Sequence, residues 1–272
     1  MEWWQALVLG IVQGLTEFLP VSSSGHLMLV REFLGVDGEG FLDFTVAVHF
    51  ATVVSTVVVF WKVIVNLLKG LFKFKYNDET DYICKIIVSM IPVAVVGLFF
   101  KDKVEALFSD GVTAVGICLL VTAFLLLLSD FLTSRLNYVN NYRNGISYWQ
   151  ALLVGVGQAF AVAPGLSRSG TTIATGLVSG VKRDRIAQFS FLMVLVPIVG
   201  EQFLDCLGLV FLPAGETVAS VGAVPILVGA LSAFLSGLFA CKVMIAIVKK
   251  ARLGWFALYC ALVGTLILVF GI

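Results

Sequence analysis

Charge is what this sequence lacks. Only 13% of its 272 residues are Asp, Glu, Lys or Arg, whereas 60% are hydrophobic and the mean hydropathy is +1.03. So few charges cannot cover the surface of a soluble domain of this size, which makes the bilayer the solvent. The net charge of +1 leaves no basic face or arm, so a nucleic-acid partner is excluded. Histidine is scarce as well, and His26 and His49 alone cannot build a His-rich zinc site. The cysteines Cys84, Cys118, Cys206, Cys241 and Cys260 stand singly in apolar stretches, without a CxxC-type pair, and read as small buried hydrophobes. The opening Met1-Glu2-Trp3-Trp4 lacks the cationic start of a signal peptide, so no cleavable leader is expected.

What the sequence has instead is long apolar runs. A helix needs about 20 mostly apolar residues to cross the hydrocarbon core. Phe44–Trp61, Val112–Leu128, Val218–Cys241 and Leu253–Ile272 meet that demand. Ile83–Phe100, with Lys85 and Pro92, and Ile186–Leu209, with Glu201 and Asp205, meet it with polar interruptions, giving six expected crossings. Two other apolar stretches are broken in the middle. One runs from Trp3 past Glu17 and Pro20 to Ser22-Ser23-Ser24-Gly25-His26 and resumes until Arg31. The other runs from Trp149 to Val181 and breaks at Pro164-Gly165-Leu166-Ser167-Arg168-Ser169-Gly170. Each arm is only about 20 Å long at 1.5 Å per residue, too short to span. Half-length helices joined by a small, Gly-rich polar break predict a re-entrant hairpin, because non-helical backbone at membrane depth survives only where protein lines a cavity. The alternative is a pair of interfacial helices joined by a loop outside the membrane.

The two broken stretches are copies. Trp4-Gln5-Ala6-Leu7 aligns with Trp149-Gln150-Ala151-Leu152, and the register continues ungapped through Gly10/Gly155, Gln13/Gln158, Ser22/Ser167, Ser24/Ser169 and Gly25/Gly170. The chain therefore reads as a single membrane domain, 1–272, made of repeat one (1–134) and repeat two (146–272). The expected fold is an all-α integral membrane protein with two inverted-topology repeats, each a re-entrant helical hairpin plus three transmembrane helices. Three crossings per repeat invert the second copy, and inverted repeats bring their broken helices together at the midplane. Positive charge sets the direction. Lys62, Lys69, Lys73 and Lys75 in the loop after the first span, Arg135 and Arg143, Lys182, Arg183 and Arg185, and Lys249, Lys250 and Arg252 fall on one side, taken as cytoplasmic. Lys101 and Lys103 are the exceptions. Both termini are then expected outside, with the first hairpin entering from outside and the second from the cytoplasm.

The polar residues concentrate in the two breaks. Glu17 lies one turn beyond Gln13 on the same helical face, and a carboxylate inside a membrane is costly enough to imply a function. Ser22, Ser23, Ser24, Gly25 and His26 offer hydroxyls, backbone N–H groups at a helix start and one imidazole. On their own these serines would be no more than helix caps. The second break adds Arg168 among Ser167, Ser169, Gly170, Thr171 and Thr172, a fixed cation that matches phosphate bidentately. A purely structural Arg168 would pair with Glu17 alone. Taken together, these are the parts for phosphoryl transfer. His49 either lines the cavity or is a satisfied core histidine, and nothing around Glu201 gives it a role.

Gln13-Gly14-Leu15-Thr16-Glu17 fits an (E/Q)xxxE motif, and Pro164 to Thr172 fits PGxSRSxxT. With the intervening Ser-Ser-Ser-Gly-His, the whole chain resembles the undecaprenyl-diphosphate phosphatase family of the bacitracin-resistance type. The resemblance implies a membrane phosphatase that removes the terminal phosphate of the C55 isoprenyl diphosphate, giving undecaprenyl phosphate for cell-wall synthesis. It also implies a divalent cation, Mg²⁺ or Ca²⁺, a place in the bacterial cytoplasmic (inner) membrane and a site open to the outer side. Matched by position, the motifs point to Gln13, Glu17, Ser23, His26, Ser167, Arg168 and Thr172. Gln13 stands where many members have Glu, and an amide oxygen is the poorer metal ligand.

On this reading Ser23, His26, Glu17 and Arg168 are catalytic. Ser22, Gly25, Ser167, Ser169, Gly170 and Thr172 bind substrate, and Glu17 with Gln13 holds the cation. Ser23 or His26 attacks the terminal phosphorus while the other assists proton transfer, with direct water attack as a third route. The partners are the lipid substrate and membrane lipids, and a homodimer is compatible with the pattern. A prenyl-phosphate transporter or flippase is the rival class, since broken midplane helices in inverted repeats are transporter architecture.

Overall fold

A computed structural model describes residues 1–36, 40–100, 111–134, 142–163, 165–210, 221–250 and 252–271, with the helical backbone alone for 201–210. Pro164, Lys101, Lys103, Arg135 and the side chains of Glu201, Asp205 and Cys206 lie outside the described residues. Among the described residues every regular element is helical. The α-helices are α1 (Trp3–Phe18), α2 (Ser23–Phe33), α3 (Phe41–Val59), α4 (Trp61–Leu71), α5 (Asp78–Phe99), α6 (Gly111–Thr133), α7 (Tyr148–Phe160), α8 (Arg168–Val178), α9 (Arg183–Val210), α10 (Ala223–Lys250) and α11 (Gly254–Phe270).

The helices α3, α5, α6 and α10 are long and apolar enough to cross a membrane, and α11 is an apolar helix of 17 residues. The sixth expected crossing coincides with α9, a 28-residue helix. Many large apolar side chains, among them Phe50, Leu98, Phe124, Phe239 and Leu262, face outward, as they should where the solvent is lipid. One expectation is corrected. The lysine-bearing segment after the first span is not simply a loop, because Trp61–Leu71 is helical. Its Val63, Ile64 and Leu67 seat against the core, which gives those residues a reason to coil. Of the cysteines, Cys241 and Cys260 are buried as expected, whereas Cys84 and Cys118 are only half-buried.

The two broken stretches fold alike. The helices α1 and α2 have 16 and 11 residues, and α7 and α8 have 13 and 11. Leu19, preceding Pro20, is forced into extended backbone and ends α1. Capping boxes start both first arms, Glu2 with Gln5 on α1 and Ser147 with Gln150 on α7. The aligned glutamines then tie each arm to the end of its partner. Gln5 Nε2 donates to Leu34 O at 3.1 Å, and Gln150 Nε2 donates to Ser179 O at 2.9 Å. Each pair is thus clasped as a hairpin at the end opposite its break.

Each hairpin packs on a long helix from the other half of the sequence, α1 on α10 and α7 on α5. Glycines allow the approach. A Cβ on Gly10 would sit 2.3 Å from Gly229 O, one on Gly14 2.4 Å from Ala233 O, and one on Gly155 2.1 Å from Ser89 O. Small residues at helix crossings are how apolar helices gain contact where lipid offers no hydrophobic drive. Lys85, the charge that weakened the second expected crossing, is buried beside Asp81 at 2.5 Å and also donates to Arg143 O at 2.8 Å. Tyr76 and Tyr148 donate to Asp81 in turn, so the buried pair is fully bonded.

Candidate active site

The site forms where the two breaks meet. Ser22 has a φ of +71°, left-handed backbone that a non-glycine residue seldom adopts and that collects at functional sites. Its hydroxyl caps α2 by accepting from Gly25 N at 3.3 Å, and Ser167 caps α8 by accepting from Gly170 N at 3.1 Å. The breaks also interlock. Ser169 Oγ donates to Leu19 O at 3.1 Å, and a Cβ on Gly170 would lie 3.1 Å from Pro20 Cβ. The starts of α2 and α8, with their positive dipole ends and the first-turn N–H groups that the serine caps do not take, therefore adjoin one another.

Between them lies a cavity lined by Glu17, Ser22, Ser23, Ser24, His49, Ser167, Arg168 and Ser169, together with Thr16 and the 161–163 and 166 segment. Ser23 Oγ donates to Glu17 Oε2 at 2.6 Å, and Gln13 Nε2 donates to the same oxygen at 2.9 Å. His49 Nε2 stands 3.8 Å from it. Because Thr45 O can only accept, the 2.9 Å contact to His49 Nδ1 places the proton there and turns Nε2 toward Glu17. Arg168 is half-buried, and its guanidinium has no hydrogen bond or ion pair among the described residues. It acts on Glu17 only through space. A half-buried guanidinium without a hydrogen-bond acceptor is set to receive an anion.

A second, narrow cavity shares Glu17, Arg168 and Ser169 and continues along Phe18, Val53, Phe191, Val194, Leu195 and Ile198. The polar chamber thus opens onto an apolar groove between α3 and α9.

The structure brings Glu17, Ser22, Ser23, Ser167, Arg168 and Ser169 to one cavity. It places the other candidates behind it. Gly25 and Gly170 serve the caps. Thr172 is buried, 2.8 Å from Arg168 O and 2.6 Å from Ser190 Oγ, and joins α8 to α9. His26 does not line this cavity, and among the described residues it has no hydrogen bond to Ser23 or ion pair with Glu17. Its Nδ1 donates to Ser22 O at 2.7 Å, which leaves Nε2 to accept from Tyr259 Oη at 2.7 Å. His49, for which the sequence allows either cavity or core, lines the cavity. Tyr259 carried no signal at all, being 233 positions from its partner.

A divalent cation can be tested against these donors. The described residues contain no group of three His, Cys, Asp or Glu able to enclose a metal. Yet the bonds to Glu17 fall on Oε2, and the buried Gln13 Oε1 has no partner. Glu17 and Gln13 thus keep oxygen donors free on one helical face. That fits a hard cation held by one carboxylate and completed by substrate oxygens.

A chain whose described elements are all helical, with membrane-length apolar helices that close on a hydroxyl, a carboxylate and a guanidinium, defines a membrane protein built to handle a lipid-linked anion. The family model of the bacitracin resistance protein BacA matches residues 6–266, and the chain belongs to that family. It is 50% identical over 270 residues to the undecaprenyl-diphosphatase of Bacteroides fragilis, covering 99% of this chain and 98% of that one. To the undecaprenyl-diphosphatase of Parabacteroides distasonis it is 52% identical over 265 residues, 97% and 96% of the two chains. The protein of the same name from Halothermothrix orenii is 39% identical over 274 residues, 99% and 98% of the two.

Proposed function

We infer that this protein is an undecaprenyl-diphosphatase of the membrane. It hydrolyses undecaprenyl diphosphate to undecaprenyl phosphate and phosphate, which returns the lipid carrier to cell-wall synthesis and underlies bacitracin resistance. The enzyme reading stands over the flippase alternative because the relatives that match nearly the whole chain carry this enzyme's name.

The observation that carries the mechanism is the 2.6 Å hydrogen bond from Ser23 to Glu17 in a cavity shared with Arg168. Arg168 and the N-termini of α2 and α8 hold the diphosphate, and the prenyl chain lies in the apolar groove of Phe18, Val53, Phe191 and Leu195. Ser23 Oγ attacks the terminal phosphorus as its proton passes to Glu17 Oε2. The bond to the bridging oxygen breaks, and undecaprenyl phosphate leaves. Water then attacks the phosphoserine, releasing phosphate and returning Ser23 as the hydroxyl. His26 is a poorer nucleophile here than Ser23, because both ring nitrogens are already bonded. Glu17 and Gln13 would hold a divalent cation, Mg²⁺ or Ca²⁺, which when bound neutralises charge on the diphosphate.

We also place the protein in the bacterial inner membrane as two inverted repeats, each with a re-entrant hairpin and three spans. Both termini and the mouth of the active site then face outward. The matched clasps, caps and glycine contacts of the two hairpins support this arrangement, as does the lysine and arginine bias. Phosphate release by the purified protein in detergent, where no compartments exist, tests the enzyme. Ser23→Ala should abolish it, and a phosphorylated residue trapped in the wild type should map to Ser23. A label on His26, or none in an active enzyme, would overturn the assignment.

A further inference from the structure

The segment from Trp61 to Tyr76 has a pattern that the phosphatase reading does not use. In α4 and its continuation, three stripes run side by side at helical spacing. Val63, Ile64, Leu67 and the buried Gly70 face the protein. Trp61, Val65, Leu68 and Phe72, spaced four, three and four apart, form an outward apolar stripe, with Trp61 at 59%, Leu68 at 46% and Phe72 at 69% exposure. Lys62, Asn66, Lys69 and Lys73 form the third, at the same spacing, and all four are exposed. The backbone keeps turning past the helix end, since Phe72 N and Lys73 N bond to Leu68 O and Gly70 O. Phe74, 90% exposed, and Lys75 prolong both outward characters.

A helix with one face on protein, one apolar stripe and one cationic stripe fits neither water nor hydrocarbon on all sides. It fits the boundary between them. Lys62, Lys69, Lys73 and Lys75 have no ion pair among the described residues, so their charge is uncompensated by the protein. The neighbouring Asp78 is engaged by Arg143. We propose that α4 and the Phe72–Lys75 continuation lie flat in the membrane interface as a docking surface for anionic phospholipid headgroups. Trp61, Leu68 and Phe72 enter the acyl chains, and the four lysines meet lipid phosphates. Charge complementarity commits the surface to anionic lipid, because a zwitterionic headgroup would leave those lysines unpaired.

The test uses the full-length protein released from nanodiscs, with bound lipid counted by native mass spectrometry for phosphatidylglycerol and for phosphatidylcholine. Each lysine at an anionic surface favours binding by about five-fold. The triple variant K62Q/K69Q/K73Q should therefore bind phosphatidylglycerol more weakly by on the order of a hundred-fold, with phosphatidylcholine unchanged. Wild-type preference should also shrink as salt rises. Phosphate release by the variant should match wild type, since none of the three lysines lines the active-site cavity, and this shows that it has folded. A folded triple variant that keeps the wild-type preference for phosphatidylglycerol would overturn the proposal. So would a wild type without that preference, or Leu68→Cys chains that cross-link to one another in pure phosphatidylcholine, because the stripe would then belong to a second copy.

Discussion

Arg168 offers the cleanest separation of chemistry from folding. Its guanidinium makes no hydrogen bond or ion pair among the described residues, and Glu17 already accepts from Ser23 and Gln13 without it. Arg168→Ala therefore removes one through-space attraction and leaves no donor or acceptor stranded. The fold should lose about 1 kcal/mol or less, the scale of a partly exposed charge pair. The reaction should lose far more. A preorganised donor aimed at developing charge is worth about 3–4 kcal/mol, or roughly 10²–10³-fold in kcat. Arg168→Lys keeps the charge but not the planar fork, so it should fall between the two. Phosphate release from undecaprenyl diphosphate, with kcat and KM measured separately, reads the first quantity, and the thermal midpoint in the same detergent reads the second. A kcat within ten-fold of wild type would refute the phosphate-binding role. A midpoint that collapsed together with the activity would show a structural arginine instead.

Three other substitutions probe neighbouring parts. Gln13→Glu places a second carboxylate beside Glu17, so the cation concentration giving half-maximal activity after chelation should fall, and an unchanged midpoint would argue against a cation at that pair. Tyr259→Phe deprives His26 Nε2 of its donor and should cost about 1–3 kcal/mol of stability. Its kcat should fall as well, because that bond moors the first turn of α2, which carries Ser23; wild-type values for both would sink this reading. Lys85→Met strands Asp81 in the interior and should cost about 3–5 kcal/mol in detergent unfolding, whereas the double variant Asp81→Leu with Lys85→Met should recover most of it. A single variant as stable as wild type would mean that water reaches the pair.

Much of this was legible in the sequence because the bilayer imposes simple rules. The six expected crossings coincide with long or apolar helices, since only a helix satisfies its own backbone in lipid. The hairpin arms could be read from Pro20 and the Ser-Gly clusters, which stop and cap helices by local chemistry. That Glu17, Ser23 and Arg168 share one cavity could be expected for a different reason, namely that polar residues in apolar stretches seldom stand apart from one another. What stayed hidden depends on distant contacts. Nothing near His26 reveals that Tyr259 holds it, or that Ser23 turns to Glu17 rather than to His26. Lys85 looked like a flaw in a span until Asp81, Arg143 and Tyr148 came together around it. The helix at Trp61–Leu71 was masked by its lysines, which suggested a loop, although its apolar residues recur at helical spacing.

The repeat explains why the site is divided as it is. The cavity is lined by aligned pairs, Thr16 with Ala161, Glu17 with Val162, Ser22 with Ser167, Ser23 with Arg168 and Ser24 with Ser169. The pairs that build the backbone are the ones that match. Ser22 and Ser167 cap their helices through Gly25 and Gly170 by the same bond, and each lies 3.4 Å from the serine two residues on. Two of the pairs that differ, Glu17 with Val162 and Ser23 with Arg168, hold the residues to which the proposed mechanism assigns the chemistry. Two copies of Ser23 with Glu17 would set two carboxylates against a diphosphate, and two copies of Arg168 would supply no nucleophile. A duplicated scaffold gives two helix N-termini facing one anion, which neither half could provide alone. On the proposed mechanism, divergence at these two aligned positions supplies the hydroxyl and its base from one copy and the guanidinium from the other. On that mechanism the apolar Val162 opposite Glu17 matters too, because a second carboxylate in the cavity that Arg168 lines would compete with the diphosphate for the guanidinium.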